Sequence, residues 1–243
     1  MPIGVLPRGT FNFFSRQHGL ADDAEQALGE VLDALRAGSL RPVRVGLVND
    51  RLFLVNASLG LYPRLLAERE AATRRWGRSR AVVLAAAAAS LFEPASTQRL
   101  RLVDCTPGNA GAHPLMLIST LFVGANPLQL QAVGLREADR VGNGALAAVT
   151  LAPQTRLQTL RMLWHALRGR LAEEDSVHSL ACTRLEVQAA GWRPSSRLKV
   201  AYDGETSWMR LPLRFAVGER PLWLVAPPQP QAAAAETPTR KAA

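Results

Sequence analysis

The sequence predicts an α+β protein, with a short α/β segment at its amino end and an antiparallel β-sandwich domain over most of the remainder. Three observations carry that prediction. Residues 2–16 run from an apolar stretch through a Pro-x-Gly-Thr turn into a helical pattern, and a second helical pattern follows. Two β-rich runs then flank the turn-forming pair Asn49-Asp50, which marks a change to antiparallel pairing. From Gln98 onward, short β-rich runs recur between Gly, Pro and Asn breaks.

With 243 residues, 48% of them hydrophobic and 20% charged, the chain is long and apolar enough to bury a substantial core. Cys105 and Cys182 form no disulfide framework and no metal-ligand spacing, so a reducing cytoplasm is expected. Met1 leads into a Pro/Gly turn, which is not the pattern of a signal peptide. The longest apolar run, residues 81–92, is shorter than the ~20 residues that cross a bilayer. The net charge of +9, almost all of it from Arg, suits phosphates or anionic lipid surfaces. No aromatic-interleaved basic motif of an RNA-recognition type accompanies it, so nucleic acid is not an expected partner.

In chain order, residues 3–6 read as a strand, Pro7 to Gly9 as a turn, and Asn12 as the opening of a short helix containing Phe13, Phe14 and Arg16. Strand, turn and helix N-terminus would bring unpaired N–H groups and the positive helix end to one place, an arrangement suited to phosphate. Asp22-Asp23-Ala24-Glu25 reads as an N-cap, Leu28, Val31, Leu32 and Leu35 follow at helical spacing, and Gly38 closes that helix. Residues 43–48 and 52–57 form the hairpin. Residues 64–80 are Arg-rich around Trp76, with Arg64, Arg69, Arg74, Arg75, Arg78 and Arg80 as a candidate membrane patch, and a helix over 81–92 ends at Pro94.

Strands are then expected at 100–103, 115–123, 145–151, 183–187, 198–201, 208–215 and 222–225, completing the sandwich. A helix over 154–171 interrupts them, placing Leu157, Leu160, Leu163, Trp164, Leu167 and Leu171 on one face to pack on the sheet. The Pro/Gln/Ala/Thr tail from residue 227 is expected to be disordered. His18, His113, His165 and His178 show no paired spacing of the zinc type.

The opening Gly4-Val5-Leu6-Pro7-Arg8-Gly9-Thr10-Phe11-Asn12-Phe13-Phe14-Ser15-Arg16 resembles a motif of the diacylglycerol kinase catalytic-domain family, bacterial lipid kinases that are also similar to sphingosine and ceramide kinases. Two later stretches match the family in order. Asp203-Gly204-Glu205 corresponds to an Asp-Gly-Glu turn, and Asn143-Gly144-Ala145-Leu146 to an Asp-Gly-x-Leu turn. The resemblance implies that residues 1–40 are a remnant of a Rossmann-like nucleotide-binding domain. Residues 41–226 would then be the lipid-kinase sandwich, and 227–243 a tail.

By the same resemblance, Gly9, Thr10 and Asn12 would touch the nucleotide, while Asp203 and Glu205 would take the proton from the lipid hydroxyl and help position metal. Backbone carbonyls of Arg140 and Ala145, with Asn143, would hold Mg2+. The implied reaction transfers the γ-phosphate of ATP to a diacylglycerol-like lipid alcohol, in the cytoplasm and peripherally at the inner membrane surface. Departures are evident: no Gly-Gly-Asp-Gly-Thr loop occurs in the sequence, Phe13 stands where an Asp is usual, and Asn143 replaces an acid. The alternative expectation is a non-catalytic lipid-binding or regulatory module of the same fold. The nucleotide side would come from a homodimer partner or a separately encoded half.

Overall fold

The computed structural model describes residues 2–9, 11–60, 98–108, 111–112, 116–153, 155–189 and 197–228. The Arg-rich stretch at 64–80, the helix expected at 81–92 and most of the tail therefore lie outside the described residues. The chain divides into two compact units, Met1–Val43 together with Leu222–Ala243, and Arg44–Pro221.

In the first unit, strand β1 (Pro2–Ile3) runs parallel to β16 (Leu222–Val225), which in turn pairs antiparallel with β2 (Leu40–Val43). Helices α1 (Phe13–Gln17) and α2 (Ala24–Arg36) complete it. The Asp23 carboxylate caps α2 by accepting from the N–H groups of Glu25 and Gln26, and Gly38, at φ 64°, ends it with the Ser39 N–H on the Ala34 carbonyl. Only Ala27 and Ala34 of α2 are buried, while Leu28, Leu32 and Leu35 remain exposed. Residues 222–225 thus belong with the amino-terminal segment and not with the sandwich. Four β-prone residues name no partner, and here the neighbours are Pro2–Ile3 and Leu40–Val43.

The second unit is a β-sandwich. One sheet has six strands in the order β11 (Val177–Cys182), β10 (Leu146–Leu151), β9 (Thr120–Gly124), β5 (Asn56–Gly60), β13 (Arg197–Tyr202) and β14 (Glu205–Arg210). The other joins β4 (Arg51–Phe53), β3 (Gly46–Val48), β15 (Leu213–Val217), β12 (Arg184–Ala189), β6 (Gln98–Asp104) and β7 (Gly111–Ala112), with β8 (Met116–Ile118) also on β6. Phe53, Leu102, Val187 and Phe215 of this sheet meet Leu59, Leu121, Val123 and Val200 of the first in one core. Each such side chain contributes about 1.5–3 kcal/mol by leaving water.

The run expected as one strand at 208–215 is two, broken at Leu211-Pro212, because proline cannot donate to the ladder. Strand β10 is buried on both faces. Leu146 and Ala148 point into the sandwich core, and Ala147 and Val149 meet Leu130, Ala138 and Val141 from helices α3 (Pro127–Ala132) and α4 (Ala138–Gly142), with Leu135 from the segment between them. Helix α5 (Arg156–Leu167) differs from its expected packing. Among its described side chains Met162 is buried, whereas Leu157 and Trp164 are exposed; Leu160, Leu163 and Leu167 of the expected face lie outside them. No helix among the described residues is long and apolar enough to cross a membrane.

Candidate functional site

Register gathers the polar candidates of the sandwich at one end of the six-stranded sheet. Gly124 pairs with both Asn56 and Ala147, and Tyr202 with Ala57. The start of β5, the end of β9, the start of β10 and the β13–β14 turn therefore share that end.

The turn consists of Asp203 at φ 45° and Gly204 at φ 97°, both left-handed as a two-residue hairpin requires. Its hairpin role is thus real, but the Asp203 side chain does more. Its carboxylate accepts backbone N–H groups from Leu54, from Val55 (2.9 Å) and from Asn56 (3.1 Å), and the Asp203 N–H returns to the Asn56 carbonyl at 3.0 Å. The residue sits on the surface, while its carboxylate turns inward onto the 54–56 bend. Burial raises its pKa above the usual carboxylate value, the three N–H groups oppose that rise, and the Glu205 charge adds to it. Glu205, the first residue of β14, is exposed, and its carboxylate has no hydrogen-bond or ion-pair partner among the described residues.

Behind this turn lies an amide network that sequence reasoning missed. The Asn56 Nδ2 donates to Gln129 Oε1 at 3.1 Å, and the fully buried Asn126 caps α3 by accepting the Gln129 N–H at 3.0 Å. Asn126-Pro127, a cap residue followed by proline at the first helical position, is a signal that would have located α3. Nothing comparable in the sequence announces Asn56 as its partner.

The proposed metal residues lie elsewhere along the same sheet end. From β10 to β13 is three strand steps, about 14 Å at ~4.8 Å per step, so no single ion joins Asn143 to Asp203. At the turn after α4, the Arg140 carbonyl already accepts the Ala145 N–H at 3.0 Å. The Arg44 guanidinium donates to the Asn143 carbonyl at 2.8 Å and lies over Gly144, where a Cβ would collide with it. A fixed cation on this turn opposes a second one, and the remaining oxygen donors are neutral. Arg140, Asn143 and Ala145 therefore do not fit Mg2+. Among the described residues, no three His, Cys, Asp or Glu side chains gather as a metal site.

In the first unit, Thr10 lies outside the described residues. Asn12, at φ 45°, caps α1 with its carbonyl, which accepts the Arg16 N–H, while its Oδ1 turns back and accepts the Gly9 N–H at 2.8 Å. A Gly9 donor expected to be open to phosphate is thus engaged locally. Nearby, Arg41 donates to the His18 carbonyl at 2.6 Å, and burial, then the Arg41 charge, lowers the His18 pKa to about 4.

Comparison with solved structures gives the architecture its relatives. A diacylglycerol kinase from Bacillus anthracis str. Sterne matches with a TM-score of 0.55 at 12% identity, over 93% of this chain and 67% of its own. The fold is diacylglycerol kinase-like. Two further diacylglycerol kinase-like structures from that strain give TM-scores of 0.60 and 0.59 at 14% and 16% identity, each over 93% of this chain and 69% and 70% of theirs. No protein-family model matches the chain. At these identities the likeness is one of fold.

Proposed function

We propose that this chain carries the acceptor side of an ATP-dependent lipid kinase, which moves the γ-phosphate to the hydroxyl of a diacylglycerol-like lipid in the cytoplasm at the inner membrane surface. The observation that carries this reading is the Asp203-Gly204-Glu205 turn, held at the end of the six-stranded sheet of a diacylglycerol kinase-like fold. Its two carboxylates divide the work. Asp203 is committed to three backbone N–H groups and acts as the positioning residue that fixes the turn and the 54–56 bend. Glu205, exposed and unpaired, is the group available to take the hydroxyl proton as the phosphoryl group transfers. Mg2+ enters this reading only as the counter-ion of ATP. Gly9, Thr10 and Asn12 are assigned to the nucleotide side, with Asn12 acting through the loop it closes.

The exposed Leu28, Leu32 and Leu35 of α2 support association of the first unit with another polypeptide, either a second copy or a separately encoded nucleotide-binding half. The test is transfer of labelled phosphate to diacylglycerol in mixed micelles by the chain supplied with Mg-ATP and such a nucleotide-binding domain. Glu205→Gln is expected to lower the rate by about 10²–10⁴ without altering thermal stability. Unchanged phosphorylation by this variant would remove Glu205 from the chemistry. The second reading, a non-catalytic lipid-binding or regulatory module, draws its support from Arg44 on the 143–144 turn and from Gly9 closed onto Asn12. Lipid binding without transfer in the same assay is its expected result.

A further inference from the structure

Helix α5 exposes side chains that a helix packed on a sheet normally covers. Leu157 is 77% exposed and Trp164 54% exposed. At about 100° per residue, Leu157, Arg161, Trp164 and Arg168 fall within an arc of about 60°, and the buried Met162 lies about 140° from Leu157. Two turns separate Leu157 from Trp164, about 10 Å along the axis at ~1.5 Å per residue.

The charges on this stripe are arranged by sign. Glu174, buried beside the helix, accepts from Arg161 Nε at 3.1 Å and lies 2.9 Å from His165 Nδ1, and Glu173 accepts from Arg170 Nε at 2.9 Å. Those contacts leave Arg168 with no acidic partner among the described residues, and its guanidinium lies 4.1 Å from the centre of the Trp164 ring. A ring with an apolar body and a polar edge, a projecting leucine and a stacked, unpaired guanidinium together match the boundary between headgroups and acyl chains.

We propose that the Leu157, Arg161, Trp164, Arg168 face of α5 docks on an anionic lipid bilayer. The occupant is a membrane surface because the stripe joins apolar side chains to guanidinium charge, which a bilayer of anionic phospholipid complements along its whole area. Arg168 meets lipid phosphate, Trp164 lies at headgroup depth, and Leu157 enters the acyl boundary. This rests on the lipid-kinase reading for its purpose, since a lipid hydroxyl has to be reached from a bilayer, but its chemistry stands on α5 alone.

The experiment is co-sedimentation of the full chain with vesicles of phosphatidylcholine, or of phosphatidylcholine with phosphatidylglycerol, combined with quenching of tryptophan emission by brominated lipid. Preferential binding to the anionic vesicles is expected, weakening as salt rises. Leu157→Ser with Trp164→Ser should weaken it at least tenfold, and Arg168→Gln about fivefold, equivalent to about 1 kcal/mol for one cation near the surface. Trp164→Phe should lose most of the quenching, whereas Trp208→Ser, at an exposed tryptophan on β14, should leave binding unchanged.

Equal binding by the double variant and the parent chain overturns the proposal. So does a double variant that abolishes self-association or capture of a protein while vesicle binding persists, because the stripe is then a protein interface. Trp164-dependent vesicle binding, with no lipid phosphorylation when Mg-ATP and a nucleotide-binding domain are supplied, leaves the docking surface standing and overturns the kinase reading. Phosphorylation that is indifferent to Leu157 and Trp164 does the reverse.

Discussion

The turns at Asp203-Gly204 and at Pro7 to Asn12 are both closed by a short side-chain oxygen that accepts backbone N–H groups, and both contain a residue at φ 45°. They differ in reach. The Asn12 oxygen contacts Gly9, three residues away, and closes a local loop. The Asp203 carboxylate contacts the 54–56 bend, 147 to 149 residues away, and joins a hairpin turn to the start of a neighbouring strand. A local loop of this kind forms from its own sequence and carries little of the stability of its surroundings, whereas the distant one exists only once the six-stranded sheet is assembled.

The largest expected effect tests that long-range role. Asp203→Asn retains the left-handed turn that asparagine tolerates, but its single carbonyl oxygen cannot serve all three N–H groups. A loss of about 2–3 kcal/mol in denaturant unfolding is expected, with faster amide exchange at Leu54 and Val55. If stability is unchanged, the carboxylate contacts carry no weight and the two turns are equivalent.

The next effect is acid sensitivity confined to the first unit. The folded His18 pKa, about 4, is lowered from 6.5, so the unfolded chain binds the extra proton first. This contribution is fully present above pH 6.5 and is lost as pH falls from there towards 4. After allowance for solvent screening the loss is about 1–2 kcal/mol. Amide exchange in α2, compared with β9 and β10 at pH 7 and 4.5, checks it, and His18→Gln should flatten the difference.

Asn12→Gly should cost only about 0.5–1 kcal/mol, because glycine keeps the backbone angle and only one exposed hydrogen bond is lost. Exchange should rise at Gly9 and not at residues 54–56. The smallest expected effect is none: millimolar Mg2+ without nucleotide should leave the melting temperature unchanged, since Arg44 occupies the 143–144 turn. A Mg2+-dependent rise that Asn143→Ala abolishes would restore the metal to that turn.

Local chemistry was legible in the sequence wherever a few neighbouring residues decide it. Asp23 and Gly38 set the bounds of α2, Asn49 makes the β3–β4 turn, and Asp203-Gly204 makes the β13–β14 turn, each through backbone preferences its own side chain enforces. The α+β class follows from the same signals taken in order. Tertiary structure alone decided which partners these pieces meet: β16 beside β1 and β2, Asp203 on the 54–56 amides, Arg44 over Gly144, and Trp164 facing outward. The physical reason is that apolar periodicity records how much surface a segment can bury but not against what. A polar side chain likewise records which bonds it can make, and only the closed sheet determines which donors come within about 3 Å of it.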